Sequence, residues 1–446
     1  MKKSGLLVFT IGLGIMINPL NSSMISVALT HLQHDFSLTF ADASWLISIF
    51  YLASAAGQPV MGKLSDMFGA KKVFMTGLVI VFTACALAPF SPHYIFLLGC
   101  RALQAIGSSA LFPSGMSIVR EYITEGQGRA LGTLSIFSNT SAAFGPSIGG
   151  FLVASWSWFA IFLINVPIIM IGIILAWKVL PNGKSGTFRL KKIDVIGIGL
   201  FIISIVGLIL FLLSLDQEHI RWWALIMFLI VGSGFVFHET RHPEPFININ
   251  RLIHSHNETI IYVQFVFINL VYYCYFFGFP TFLQQVKGYS EEHTGLIMLA
   301  LAGLSVVSSP IAGRIIDKYG AKLPMIIGAF LLLIGTGLLL TYHETSPLSW
   351  FLVIMAVLGM SNGFNNIATQ TALYDQVDAQ DTGTASGLFQ MSRYFGSILS
   401  GSLLGIVFNR HLDQAHLHLV AIICFVFCVV VTLISFKLPG KVRTTK

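Results

Sequence analysis

The sequence predicts an all-α polytopic membrane protein of fourteen transmembrane helices: two six-helix pseudo-symmetric bundles with two inserted helices. Three observations carry that expectation. Apolar residues make up 55% of the 446 and charged residues only 10%, with a mean hydropathy of +0.80. Soluble domains carry roughly 25% charged residues, so lipid must solvate most of this surface. The apolar residues gather into runs of the ~20 residues that a helix needs to cross hydrocarbon. A ten-residue segment also recurs in the second half of the chain, in register with those runs.

The runs lie at 4–29, 44–64, 72–91, 93–119, 129–154, 158–179, 194–215, 221–238, 258–284, 293–313, 323–342, 347–370, 382–408 and 416–437. The first follows Met1-Lys2-Lys3 and continues to Leu29. That exceeds the ~7–15 apolar residues of a secretory signal, so it is expected to be a retained span. Charge sets the orientation. Of 26 Lys and Arg residues, Arg221, Lys287 and Arg410 fall on one side, Arg101 and Arg393 fall inside spans, and the other 21 fall on the opposite side. Basic residues stay cytoplasmic, so both termini are expected inside a bacterial cytoplasmic membrane. The loop after the twelfth span is the exception, with Asp375, Asp378 and Asp381 and no Lys or Arg.

The net charge of +7 sits in these short loop clusters rather than in a basic stripe with aromatics, which argues against nucleic acid. The five cysteines lie inside apolar runs without CxxC or Cys/His spacing. They are expected to pack, and to form neither disulfides nor metal sites. No nucleophile–base pair or P-loop appears, so no catalytic residue, cofactor or metal is expected and direct ATP drive is excluded. The absence of an attached soluble domain argues against a receptor or sensor.

The repeat is Gly62-Lys-Leu-Ser-Asp66-Met-Phe-Gly69-Ala70-Lys71, echoed as Gly313-Arg-Ile-Ile-Asp317-Lys-Tyr-Gly320-Ala321-Lys322. Gly128, Ala130 and Gly132 likewise reappear as Gly383, Ala385 and Gly387. Related halves are a transporter signature. The register gives an N-terminal bundle over 1–180, an inserted pair with its loops over 181–257, and a C-terminal bundle over 258–446. Gly62 lets helices approach closely. Asp66 suits either a helix N-cap or a pairing with a basic residue across a gate, a latch that Lys71 and Lys72 could hold.

The decapeptide resembles the loop between the second and third helices of major facilitator proteins. Arg101-Ala-Leu-Gln104-Ala-Ile-Gly107 resembles that family's fourth-helix motif, and Gly145-Pro146-Ser-Ile-Gly149-Gly150 its fifth-helix antiporter motif. Phe162 to Pro167, Asp194 to Gly197 and Glu239 to Pro243 resemble the fourteen-spanning drug:proton antiporters, which include staphylococcal quinolone and multidrug exporters. The resemblance implies a multidrug efflux pump that exchanges amphipathic drugs for protons by alternating access. It would use the proton gradient, sit in lipid and act as a monomer. It also implies gating roles for Gly62, Asp66, Gly69, Lys71, Gly145, Pro146, Gly149, Gly150, Gly313, Asp317 and Gly320.

One departure matters. Where that subfamily carries an acid in its first span, this chain has Asn21, and an amide cannot titrate. None of the 19 Asp and Glu residues falls near the centre of a run. An intramembrane arginine is costly, by about 2.5–3.5 kcal/mol on insertion scales, and marks a pathway or cavity. Arg101 and Arg393 either bond carbonyls and amides such as Asn21, Gln104 and Gln390, or receive the carboxylate of a zwitterionic or anionic substrate. The latter favours fluoroquinolone-like compounds over quaternary dications.

Polar residues at helical spacing suggest the lining: Arg101, Gln104 and Ser108; Asn362, Asn365, Asn366 and Thr369; Gln390, Arg393 and Ser397; and Asn269 with Tyr272 in an aromatic stripe. Asn139 on the fifth run joins them. Helix–helix hydrogen bonding is the alternative role. Proton coupling falls to rim acids, with Asp35 and Asp42 on the outer side and Glu258 on the inner. The missing membrane acid keeps open a proton-independent facilitator or exporter of a lipid, nutrient or metabolite.

Overall fold

The computed structural model describes residues 2–182, 194–215, 219–343, 345–408 and 412–438. Arg410 and the basic residues of 183–193 and 441–446, which entered the charge count, lie outside them. All regular structure among the described residues is helical: α1 (Lys2–Ile15), α2 (Ile17–Asp35), α3 (Phe40–Phe68), α4 (Ala70–Leu87), α5 (Tyr94–Ser109), α6 (Leu111–Tyr122), α7 (Gln127–Ser155), α8 (Ala160–Leu163), α9 (Asn165–Val179), α10 (Val195–Leu212), α11 (Trp222–Arg241), α12 (Ile249–His254), α13 (His256–Gln285), α14 (Glu291–Tyr319), α15 (Lys322–Leu339), α16 (Leu348–Gln376), α17 (Thr382–Phe408) and α18 (Gln414–Lys437).

Three expected spans are broken into pairs, and proline explains each break. A proline lacks the N–H for the bond to residue i−4, and its ring clashes with that carbonyl. Pro19, Pro113 and Pro167 sit four residues after Ile15, Ser109 and Leu163, where α1, α5 and α8 end. Caps set other boundaries: Thr39 and Asp42 form a capping box on α3, and Asp194, Ser290 and Asp413 cap α10, α14 and α18. In the repeat, Gly69 and Gly320 adopt φ of 96° and 81°, a region that favours glycine, directly after α3 and α14.

Among the described residues twelve helical stretches are long and apolar enough to cross a membrane, not the fourteen expected. The second and fifth expected spans lie on α3 and α7, each 29 residues. Ser, Gly, Gln and Pro dilute both, and Asn139 adds to this in α7.

By contacts the chain divides into two units. One comprises Met1–Ile193 with Asp378–Met391, the other Asp194–Val377 with Ser392–Lys446. The inserted pair α10–α11 therefore belongs with the second unit, and the start of α17 with the first. In the first unit α2 packs on α7 and α5 on both α3 and α4, around Leu20, Met24, Ile25, Leu46, Leu97 and Phe162. In the second, α14 and α15 pack on α16 and α15 on α18, around Val271, Phe279, Leu301, Ala329, Phe351 and Cys424. Exposed Ile, Leu, Phe and Trp side chains on both units suit lipid contact.

Candidate functional site

In the first unit Arg101 is 1% exposed. A buried guanidinium must be satisfied locally. Its Nε donates to the Leu46 carbonyl at 3.2 Å, and Nη1 donates to Gln104 Oε1 at 2.5 Å and to the Asn21 carbonyl at 3.5 Å. Phe50 presents its ring 4.5 Å from Cζ. Nη2 is buried without a hydrogen-bond partner among the described residues. Asn21 Oδ1 accepts from Asn165 Nδ2 at 2.8 Å. An amide pair thus stands at position 21, with no titratable group in the contact. Asn139 lies half-buried on α7.

In the second unit the amides of α16 do not share one face. Asn362 donates to Ser305 Oγ of α14 at 2.9 Å, and Asn366 Oδ1 accepts from Arg393 Nη2 of α17 at 2.9 Å. Asn365 turns toward α15 instead: a Cβ on Gly328 would lie 2.6 Å from its Oδ1. The i, i+3, i+4 spacing spreads the three over enough of the helix to meet three neighbours. Gln390, at the start of α17 and so in the first unit, is buried with Oε1 unpartnered among the described residues. Arg393 is half-buried, with Cζ 5.8 Å from the Phe265 ring. Asn269 donates to the Phe265 carbonyl at 2.8 Å, and Tyr272 stacks on Phe276 at 5.9 Å. Neither Arg101 nor Arg393 contacts a carboxylate among the described residues.

The first copy of the repeated loop has well-defined partners. Asp66 caps the N-terminus of α17, accepting from the Gly383 and Thr384 backbone N–H groups and the Thr384 hydroxyl, each at 2.7 Å. Gly62 and Gly383 pack backbone on backbone, since a Cβ on Gly62 would meet the Gly383 carbonyl. Lys71 donates to the Trp177 and Leu180 carbonyls at 3.1 and 2.6 Å, closing the end of α9. Arg120 donates to Thr382 Oγ1 at 2.9 Å. Burial pushes the Asp66 carboxyl, which lies past the apolar run 44–64, up to about 7, against the pull of these donors. In the second copy Gly313 is buried and Asp317 half-buried.

The Gly-Pro motif is a packing surface. Gly145 sits against Ser23, Gly149 lies 3.0 Å (as a built Cβ) from the Met24 carbonyl, and Gly150 lies 3.6 Å from Val27. Pro146 stands inside the unbroken α7.

The rim acids have structural partners. Asp42 accepts within its capping box, and Asp35 Oδ2 accepts from Trp158 Nε1 at 2.8 Å. Glu258, 5% exposed, pairs with Arg251 at 3.4 Å and accepts from Tyr262 at 3.4 Å. Sequence reasoning placed Asn165 only within a family-like segment, and passed over Arg120 and the pair His238/His242. The last carried a readable signal, two histidines at i, i+4 spacing.

Buried arginines and amides inside long apolar helices define a membrane transporter rather than an enzyme. A model of the Major Facilitator Superfamily matches residues 11–401. The chain belongs to that superfamily. It is 40% identical over 417 residues to the MFS-type transporter YwoD of Bacillus subtilis, covering 93% of this chain and 92% of that one. It is 28% identical over 419 residues to Multidrug resistance protein 3 of the same organism, covering 90% and 80%. The crystal structure of the human organic anion transporter MFSD10 shares the fold, with TM-score 0.67, 14% identity and coverage of 97% and 99%.

Proposed function

We propose that this transporter is a secondary active multidrug exporter. It takes amphipathic compounds, fluoroquinolone-like zwitterions above all and dyes as well, and exchanges them for protons by alternating access. It acts as a monomer in the bacterial cytoplasmic membrane with both termini inside, and α3 and α7 cross as well, making fourteen spans. One observation supports the cargo reading above the others. Each unit embeds one arginine among amides and an aromatic ring with no carboxylate in contact among the described residues, so a bound carboxylate meets attraction without a competitor. Relatives named for multidrug resistance agree with it.

The test is efflux from proteoliposomes with and without an imposed pH gradient, comparing a zwitterionic quinolone with a quaternary dye. Arg393→Ala is expected to slow quinolone efflux about tenfold relative to the dye, the loss of roughly 1.4 kcal/mol of attraction. Equal slowing of both cargoes would sink the cargo reading.

For proton coupling the geometry favours Glu258, because it is the buried one of the three rim acids and holds Arg251. Protonation releases that arginine. Glu258→Gln is expected to abolish stimulation by a pH gradient while leaving downhill cargo exchange intact; stimulation that survives would remove Glu258 from the mechanism. The Asn21–Asn165 amide pair favours the second reading, a proton-independent exporter of a lipid, nutrient or metabolite. Efflux indifferent to the gradient would select it.

A further inference from the structure

The end of the α10–α11 pair carries a cluster that the transport reading does not use. Asp194, whose side chain is 2% exposed, precedes α10 and caps it through Oδ1, which accepts from the Gly197 N–H at 2.7 Å. His238 and His242 lie one turn apart on α11, their rings 5.2 Å apart and 33° from parallel. His238 Nε2 is 2.8 Å from Asp194 Oδ1 and 3.0 Å from Oδ2, and His242 Nδ1 is 4.0 Å from Oδ2. One ligand atom from each of the three residues falls within 4.8 Å of the others.

A second observation points into the same spot. Glu239 is 2% exposed; its Oε2 accepts from the Ile247 N–H at 2.9 Å, while Oε1 is buried without a hydrogen-bond partner among the described residues. Oε1 and Asp194 Oδ2 both crowd the point where Gly197 would carry a Cβ. Two buried carboxylates lie side by side there, so a cation held by Asp194 and the two histidines would also offset the second carboxylate.

We propose that Asp194, His238 and His242 bind one divalent transition-metal ion, zinc above all, with a fourth position open to water. Two imidazole nitrogens and a carboxylate oxygen suit Zn²⁺, Ni²⁺ or Co²⁺ rather than Ca²⁺ or Mg²⁺, which take oxygen-rich shells. Ligand bonds of about 2 Å in a tetrahedron place donors about 3.3 Å apart. The three donors lie within 4.8 Å of one another, so reaching that geometry takes rotation of the two rings. Binding would pin the start of α10 to the end of α11.

The test uses the full-length protein in detergent, stripped with a chelator and titrated with Zn²⁺ against a chromophoric competitor. Wild type is expected to hold one tight equivalent more than the His238→Gln/His242→Gln variant. His242→Gln alone, at a partly exposed position, is expected to weaken binding at least roughly tenfold. Co²⁺ is expected to give the d–d absorption of a tetrahedral complex in wild type and not in the double variant. If the double variant does not give a monodisperse peak, His242→Gln and the Co²⁺ spectrum decide. Equal Zn²⁺ uptake by wild type and either variant, or an octahedral Co²⁺ spectrum unchanged by them, overturns the proposal.

Discussion

Asp66→Ala is expected to lower the thermal midpoint and to cut transport roughly tenfold or more, whereas Asp66→Asn keeps the fold and loses a pH dependence. Removing the carboxylate strands two backbone N–H donors, those of Gly383 and Thr384, and the Thr384 hydroxyl at the first turn of α17. A lost acidic N-cap costs about 2 kcal/mol at most. The pH effect has a definite sign. Burial raises the Asp66 carboxyl from 3.8 to about 7, so the folded protein prefers the protonated acid. Its contribution is fully present below 3.8 and declines as pH rises through about 7. Partial contact with water makes the loss smaller than the shift alone gives. The wild-type midpoint, taken relative to Asp66→Asn, should therefore fall between about pH 5 and pH 8. Scanning fluorimetry of both proteins measures it, and a difference flat across that range removes Asp66 as the titrating group.

That cap also shows how much the sequence could say. Asp66 suited a helix cap or a partner for a basic residue, and the structure makes it a cap on a helix 317 positions away. Position along the chain carries no signal for such a partner. Lys71, expected near the same latch, closes α9 instead because the orphan carbonyls of Trp177 and Leu180 lie within its reach. Apolar runs located the helices well, since burial and lipid contact both follow hydropathy. They also counted α3 and α7, whose small polar residues make them the least membrane-like of the set. Periodicity placed Asn362, Asn365 and Asn366 together, yet which neighbour each meets depends on packing: Gly328 opens room for Asn365 alone. Asp42 and Asp35 read as vestibule acids. A capping box and a tryptophan N–H hold them, contacts that only the folded neighbours reveal.

Gly145→Ala is expected to destabilise the first unit by about 1–3 kcal/mol, the usual cost of forcing a methyl into a packed interface, and to abolish transport. The motif at Gly145–Gly150 does its work by contact. A Cβ on Gly145 would collide with the Ser23 side chain of α2, whose Oγ is already committed to the Pro19 carbonyl at 2.8 Å. That obstacle is a side chain, so removing it should remove the penalty. Ser23→Gly is expected to be mild alone and to restore most of the stability and transport lost in Gly145→Ala. Gly149 differs: its built Cβ lies 3.0 Å from the Met24 carbonyl and 3.2 Å from Met24 Cα, atoms of the α2 backbone itself. Only a shift of the whole helix relieves that contact. Gly149→Ala should therefore resist rescue by Ser23→Gly, giving a double-mutant coupling at 23/145 and none at 23/149. Thermal midpoints and efflux rates of the three single and two double variants measure it. Equal rescue at both positions would mean that α7 tolerates bulk at this interface and that the glycines serve something other than its close approach to α2.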